Sequence, residues 1–416
     1  MKKLVLFMFS SFVSLCVLGQ WTPIPIGTAS SEAVAMASFA DTVMVGFAGD
    51  GIFRTRDLGN SWEDISGDLA NKNINRILPG PWPTLFVSTD NGPYFTMDQV
   101  SYINTTSTGL TNTDISLYSI GGELDISHFI VGTKGGGFFT GPELDGPWSA
   151  ASDGLSGGAL FINDMGGYHD GDTSTYILAT DGGVYYSNDN FTSWFSRNNG
   201  LVGDQLIVTG AILLNTFSFI TTEGGAFYSL DYGQNWMGVI ENEKFNLIQM
   251  QVSQSGAFSI FILGETSYVS NDMLNWIPIS TPGEVISAAL TSSDLFIATE
   301  ATKADFNSTS GLYRQPVSWI LTALPENEAE TNVSLKQNYP NPFSNLTTVT
   351  YSLSEEQLVD IRVLDLLGRE VKMLVNSVQE EGNHEVILDA SDMLSGVYMV
   401  VLRSEESTAT IKIMKE

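Results

Sequence analysis

Seven residues of this chain could do chemistry together. Asp50, Asp90, Lys134, Asp181, Glu223, Glu265 and Glu300 each stand in a short turn after an apolar run, roughly forty residues apart. Most lie within two residues of a glycine. Six carboxylates and one amine around one rim would suit a cation such as Ca²⁺, a basic partner or a hydroxyl-rich ligand. Two of those carboxylates about 6.5–9.5 Å apart would instead form the acid–base pair of an inverting glycoside hydrolase. The pattern also has a plainer cause, because Asp-Gly and Gly-Gly supply the positive φ of tight hairpins. Other chemistries lack their residues. No metal-ligand spacing, phosphate loop or nucleophile motif is present. His128, His169 and His384 are far apart in sequence. A formal charge of −29, spread along the chain, repels phosphate backbones and excludes nucleic acid as a partner.

The elements that must position these turns recur as one unit. Each unit reads apolar strand, Thr, acidic residue, Gly-Gly, aromatic strand, Ser-x-Asp, turn, Trp. The clearest copy runs from Thr222 through Glu223, Ser229 and Asp231 to Trp236. A repeat of this length, made of strands and turns, predicts the four-stranded blades of a β-propeller. Seven units predict seven blades, although worn second and seventh units leave six or eight open. The seventh unit is expected to end at Trp319. Trp21 opens the repeat region with no unit before it, and is expected to pair with the last blade and close the ring.

The stretch Ser/Thr-x-Asp-x-Gly-x-x-Trp resembles the Asp-box, or BNR, repeat of sialidases, sortilin-type receptors and photosystem-assembly propellers. Thr55–Trp62 with Asp57, and Ser229–Trp236 with Asp231, match in full. Ser187–Trp194 keeps Asp189 but has Phe191 for Gly. Asp98 is kept in a copy without Gly or Trp, and the copy with Asp272 and Trp276 is one residue short. The resemblance implies a hairpin between third and fourth strands, remote from the ligand face. The short Asp would cap turn N–H groups, and the Trp would fill the wedge between blades. Sialidases of this class hold the substrate carboxylate with three arginines. Arg54, Arg56, Arg76, Arg197 and Arg314 stand in unrelated phases of the repeat, so no such triad is expected.

The two ends of the chain state a destination. Residues 1–19 have a basic start, a short apolar run and small residues before a cut at Gln20, as a secretory signal does. Cys16 lies inside that segment behind Leu15, which does not suit lipidation, and the mature chain has no cysteine for a disulfide. No other run is apolar enough to span a membrane. Residues 324–334 read as an acidic linker. From 335 to 416 the chain carries Asn338, Pro340, Asn341 and Pro342, then Gly368, Gly396, Tyr398 and Lys412, in motifs that resemble the C-terminal sorting domain of the type IX secretion system of Bacteroidetes. That resemblance implies engagement of the type IX machinery. The residues themselves alternate as half-buried strands: Val349, Tyr351, Leu353, then Val359, Ile361, Val363, and less cleanly Val397, Met399, Val401.

The expected architecture is all-β: a seven-bladed β-propeller over 20–323, followed by a small Ig-like β-sandwich. The expected function is a non-enzymatic binding or scaffold module at the cell surface or in the medium, with a protein or glycan ligand on the propeller face. A surface glycoside hydrolase or lyase using the mouth carboxylates is the second reading. An assembly factor or adhesin is the third.

Overall fold

The middle strands of each repeat are apolar on both faces because a neighbouring sheet covers each face. Leu85–Thr89 and Gly92–Thr96, for example, are buried throughout. The computed structural model describes residues 21–26, 32–81, 83–123, 126–169, 173–214, 217–252, 258–271, 275–300, 311–322, 333–336, 338–341, 343–364, 370–393, 396–404 and 408–415. The expected signal segment, most of the expected linker, Asp272, Pro342 and Gly368 lie outside them. The chain divides into two units, Met1–Leu324 and Pro325–Glu416.

The first unit holds seven four-stranded antiparallel sheets. Their first strands are Ala33–Phe39, Ile74–Pro79, Ile115–Glu123, Ile162–His169, Val208–Leu214, Phe245–Val252 and Val285–Leu290. Each first strand lies against that of the next sheet, and the last lies against the first, so seven blades close a ring. Most fourth strands are two residues long and sit at the rim, a short edge that resists further pairing.

Blade 7 is completed from the other end of the chain. Its fourth strand is Thr22–Pro23, paired with Arg314 and Tyr313 of Leu312–Pro316. Trp21 directly precedes that strand, as Trp62 directly precedes Glu63–Asp64 in blade 1. Its indole Nε1 donates to Ser280 O at 2.6 Å. Trp319 therefore does not end the seventh unit as its sequence position suggested. The third strand stops at Pro316, and Trp319 falls in the helix Val317–Thr322 that follows.

One irregularity recurs in all seven blades. The pairing of first and second strands slips by one residue at Val34, Asn75, Ser116, Asn163, Thr209, Asn246 and Ile286. Such a bulge leaves its residue unpaired and re-aims its side chain.

In the second unit, Val333–Leu335, Leu346–Leu353 and Gly382–Asp389 form one sheet. Glu370–Gln379, Gln357–Leu364, Gly396–Arg403 and Thr408–Lys415 form the other. Both enclose one core containing Val349, Tyr351, Leu353, Val359, Ile361 and Val363, in the expected phase. Along Gly396–Arg403 the phase is the reverse of the expected one. Tyr398, Val400 and Leu402 are buried, whereas Met399 and Val401 pair with Leu364 and Arg362 on the outward face.

Candidate functional site

The register shows which turn residues are equivalent. Thr89, Thr133, Thr180, Thr222, Gly264 and Thr299 each pair with the residue that opens the first strand of their blade. The next residues are Asp90, Lys134, Asp181, Glu223, Glu265 and Glu300, all exposed. In blade 1 that place is Ala48, and Asp50 stands two residues further on. The N–H groups of Lys134, Asp181, Glu223 and Glu300 donate to Asp114 O, Phe161 O, Ile207 O and Glu284 O, just before the first strands. The turns are thus spread one per blade, a step outward from the channel. Asp90 accepts from Asn71 Nδ2 at 2.6 Å and Asn73 Nδ2 at 2.9 Å. Among the described residues, no three His, Cys, Asp or Glu side chains are placed to hold a metal ion.

The channel carries groups that sequence patterning missed. Its volume is about 350 Å³, and the bulge residues Val34, Asn75, Asn163, Thr209, Asn246 and Ile286 line it. Three of them make the same double bond pattern toward an acid and a strand. Asn75 Nδ2 donates to Asp114 Oδ1 and to Ile115 O of blade 3, both at 2.8 Å. Asn163 Nδ2 donates to Asp181 Oδ1 at 2.7 Å and Val208 O of blade 5 at 2.8 Å. Asn246 Nδ2 donates to Glu284 Oε1 and Val285 O of blade 7, both at 2.9 Å. Each amide clamps one blade to the next and holds a carboxylate beside a residue that lines the channel. The Asn246 bond, helped by Lys244, holds the Glu284 carboxyl below its usual range. Lys134 Nζ stands 3.4 Å from Asp114 and Lys244 Nζ 3.3 Å from Glu284. Just below, Arg76 of blade 2 reaches Asp164 of blade 4 at 2.5 Å and Asn163 O at 3.0 Å, a strut across the wall of blade 3. The available signal is a polar residue one place after the apolar residue opening five of the seven first strands, Asn75, Ser116, Asn163, Thr209 and Asn246.

The Ser/Thr-x-Asp hairpins lie at the opposite end of the blades, between third and fourth strands. In blade 1, Thr55 Oγ1 donates to Asp57 Oδ1 at 2.9 Å and accepts the Gly59 N–H at 2.8 Å. Asp57 also accepts the Ser61 N–H at 2.9 Å and its hydroxyl at 2.6 Å. Asp231 repeats this with Ser229 and with Asn235, at 2.7 and 2.9 Å. Asp189 does so with Ser187 and Ser193, at 2.8 and 3.0 Å. Phe191, standing where Gly is expected, takes φ 68°. Its buried ring packs on Tyr176, Phe138 and Trp194, which offsets the backbone strain.

The hairpin tryptophans reach back to the preceding blade. Trp148, Trp194 and Trp236 donate from Nε1 to Thr106 O, Ala151 O and Arg197 O at 2.8, 2.9 and 2.7 Å. Trp62 and Trp276 are half-buried at the matching place. Trp236→Ala should cost about 3–5 kcal/mol through the cavity it leaves. Asp231→Ala should cost about 1–2 kcal/mol, the scale of lost turn hydrogen bonds. Chemical denaturation of both variants checks this order.

The hairpin acids also set an acid limit. N–H donors of Ser101 and Val100 hold the Asp98 carboxyl down from 3.8 to about 2. The Ser61 hydroxyl and N–H lower Asp57. At Asp189 and Asp231 burial pushes upward, but the summed Ser193, Ser187, Asn235 and Ser229 bonds win and the net shift is down. Folded-state values below the unfolded ones give stability that is whole above the unfolded carboxylate range and lost as the groups protonate. Melting temperature should therefore fall steeply between about pH 4 and about pH 2. Asp98→Asn should flatten part of that slope.

The histidines and arginines stay dispersed. His128 packs on Phe191, His169 Nδ1 is 3.0 Å from Ser174 Oγ, and His384 stacks on Tyr351. Arg54 contacts Gln99 and Glu63, and Arg314 pairs with Asp294 at 3.3 Å. They form no common cluster with Arg76 or Arg197.

In the second unit the Asn-x-Pro segment is tied into the sandwich. Asn338 is buried, and its Nδ2 donates to Pro340 O at 2.9 Å and Thr347 Oγ1 at 2.8 Å. Pro340 and Asn341 lie at the surface, while Phe343 enters the core and bridges to Lys415. Gly396 and Lys412 fall in the paired strands Gly396–Arg403 and Thr408–Lys415.

Residues 337–416 match the secretion system C-terminal sorting domain family. No curated protein matches the chain. Among solved structures, PorZ, a surface component of the type IX secretion system of Porphyromonas gingivalis, is similar at 15% identity and TM-score 0.50, over 94% of this chain and 61% of that one. The extracellular domain of a one-component system of B. thetaiotaomicron is similar at 12% identity and TM-score 0.54, over 96% and 58%. YCF48 bound to D1 peptide is similar at 13% identity and TM-score 0.51, over 71% and 95%. This chain therefore spans about three fifths of the first two, and at these identities the likeness is one of fold. Among the described residues no helix is long and apolar enough to cross a membrane. Residues 337–416 are a type IX secretion sorting domain, carried by a β-propeller chain that is exported to the cell surface or the extracellular space.

Proposed function

We propose that the exported propeller is a non-enzymatic binding module whose ligand face is the channel end. The observation that supports this most is the set of three amide clamps, which fix Asp114, Asp181 and Glu284 beside the channel-lining Asn75, Asn163 and Asn246. With Asp90, Glu223, Glu265 and Glu300 in the surrounding turns, the face suits a basic partner better than a compact metal ion. The Ser/Thr-x-Asp hairpins at the other end are read as structural Asp-boxes of the BNR and sortilin-like kind. YCF48, a propeller of similar fold, is seen with a peptide, which fits a peptide ligand here as well.

Carboxylates gathered at one face repel one another, and a polycation relieves this. Polylysine should raise the melting temperature, and Asp181→Asn with Glu223→Gln should remove the rise. Ca²⁺ should raise it less. An unchanged response in the double variant would reduce the face to ordinary hairpin turns. Glycan screening with product analysis tests the hydrolase reading, and released oligosaccharide would replace this proposal with that one.

A further inference from the structure

Among the described residues, one corner of the ring carries an arginine with no acid at ion-pair distance. Arg197 follows Phe195–Ser196, the fourth strand of blade 4, and its N–H donates to Val184 O at 2.8 Å. Its guanidinium stands over the Tyr186 ring, 5.1 Å from the centroid. Tyr186 meets Tyr232 of blade 5 edge-on at 6.1 Å. Trp236, from the same hairpin as Tyr232, donates to Arg197 O. The Nε of Arg197 is buried with no hydrogen-bond partner among the described residues. The other arginines of the ring all have carboxylates: Arg54 and Arg56 with Glu63, Arg76 with Asp164, Arg314 with Asp294.

Blade 1 shows how the same corner is built around a structural ion pair. Arg54 and Glu63 are cross-strand partners there. In blade 4 the matching partners are Tyr186 and Phe195. An aromatic ring, 53% exposed, thus stands where the acid would be. The backbone position of Arg197 is held in other blades by Ile65, Thr105, Ala151, Ile279 and Ile24, whose N–H groups make the same bond to their third strands. The fold is satisfied there by apolar or small side chains, so packing does not require an arginine.

We propose that this corner between blades 4 and 5 binds a carboxylate-bearing sugar, a uronic-acid unit of a glycan. The planar guanidinium matches a carboxylate through two parallel N–H donors. The exposed Phe195 offers a flat platform for the sugar ring, and a uronate brings carboxylate and ring in one rigid unit. The distant negative charge of the chain is screened beyond the Debye length of about 8 Å, and the nearby Asp231 carboxylate is engaged by Ser229 and Asn235. The site stands apart from the channel end and does not depend on the binding role proposed for it.

Oligogalacturonate titrated calorimetrically into the full exported chain should bind, and its methyl ester should not. Arg197→Ile should weaken binding about tenfold to a hundredfold, the range for a lost charge-assisted pair. Arg197→Lys keeps the charge and the stem, and should melt like the parent while losing most of the affinity with the planar fork. Phe195→Ser should weaken binding several-fold, and Asp181→Asn should leave it unchanged. Absence of binding, equal binding of the methyl ester, or full affinity in Arg197→Ile would overturn the proposal. Equal binding of a glutamate-rich peptide would transfer the site to acidic proteins and overturn it too.

Discussion

A chain lacking residues 21–26 should lose its cooperative thermal transition. Those residues supply the fourth strand of blade 7, the Trp21 bond to Ser280, and two core side chains. Ile24 and Ile26 are 4% and 1% exposed, packed among Val43, Phe47, Phe296 and Leu312 of blades 1 and 7. Losing one buried Ile side chain costs about 2–5 kcal/mol. Two such losses rival the whole stability of a typical domain, about 5–15 kcal/mol. The cut also bares the edge of Leu312–Pro316, which invites association. Calorimetry and gel filtration should show a broad or absent transition and aggregates. A single sharp transition near the parent temperature would show that the ring does not need this latch.

Removal of residues 411–416 should abolish export. The deletion takes most of Thr408–Lys415, which pairs along Gly396–Arg403, and it takes Ile413, fully buried in the sandwich core. It also removes the bridge between Lys415 and Phe343, which stands just after the Asn338–Pro340 segment. The propeller keeps its own cores and should stay folded, because separate units carry separate cores. Cell fractionation should find a protease-resistant propeller in the periplasm. Parental amounts outside the cell would show that the sorting information lies elsewhere.

Much of this fold was legible because repetition and turn chemistry are local. Asp-Gly and Gly-Gly marked the hairpins, and Trp21 announced the closing strand before any unit preceded it. Trp319 misled because its spacing fits the repeat, and only the stop at Pro316 and the return of Thr22–Pro23 show the blade completed otherwise. Asp50 misled similarly, since one turn is longer and register alone reveals Ala48 as the equivalent residue. The amide clamps are hard to read because each joins residues about forty positions apart through a bulge, and the polar residue near the start of most first strands does not name its partner. Pattern alone puts Gly396–Arg403 in the wrong phase because Val397 to Leu402 is apolar on both parities, which leaves the buried face unspecified.

Hydrogen-exchange mapping of the full chain with and without polylysine decides which end of the propeller binds. Protection is expected at the channel end, in residues 90–92, 134–137, 181–183 and 223–225 and at the openings of the first strands. Protection confined to the opposite end, in residues 57–61, 189–193 and 231–235, would contradict the proposed ligand face.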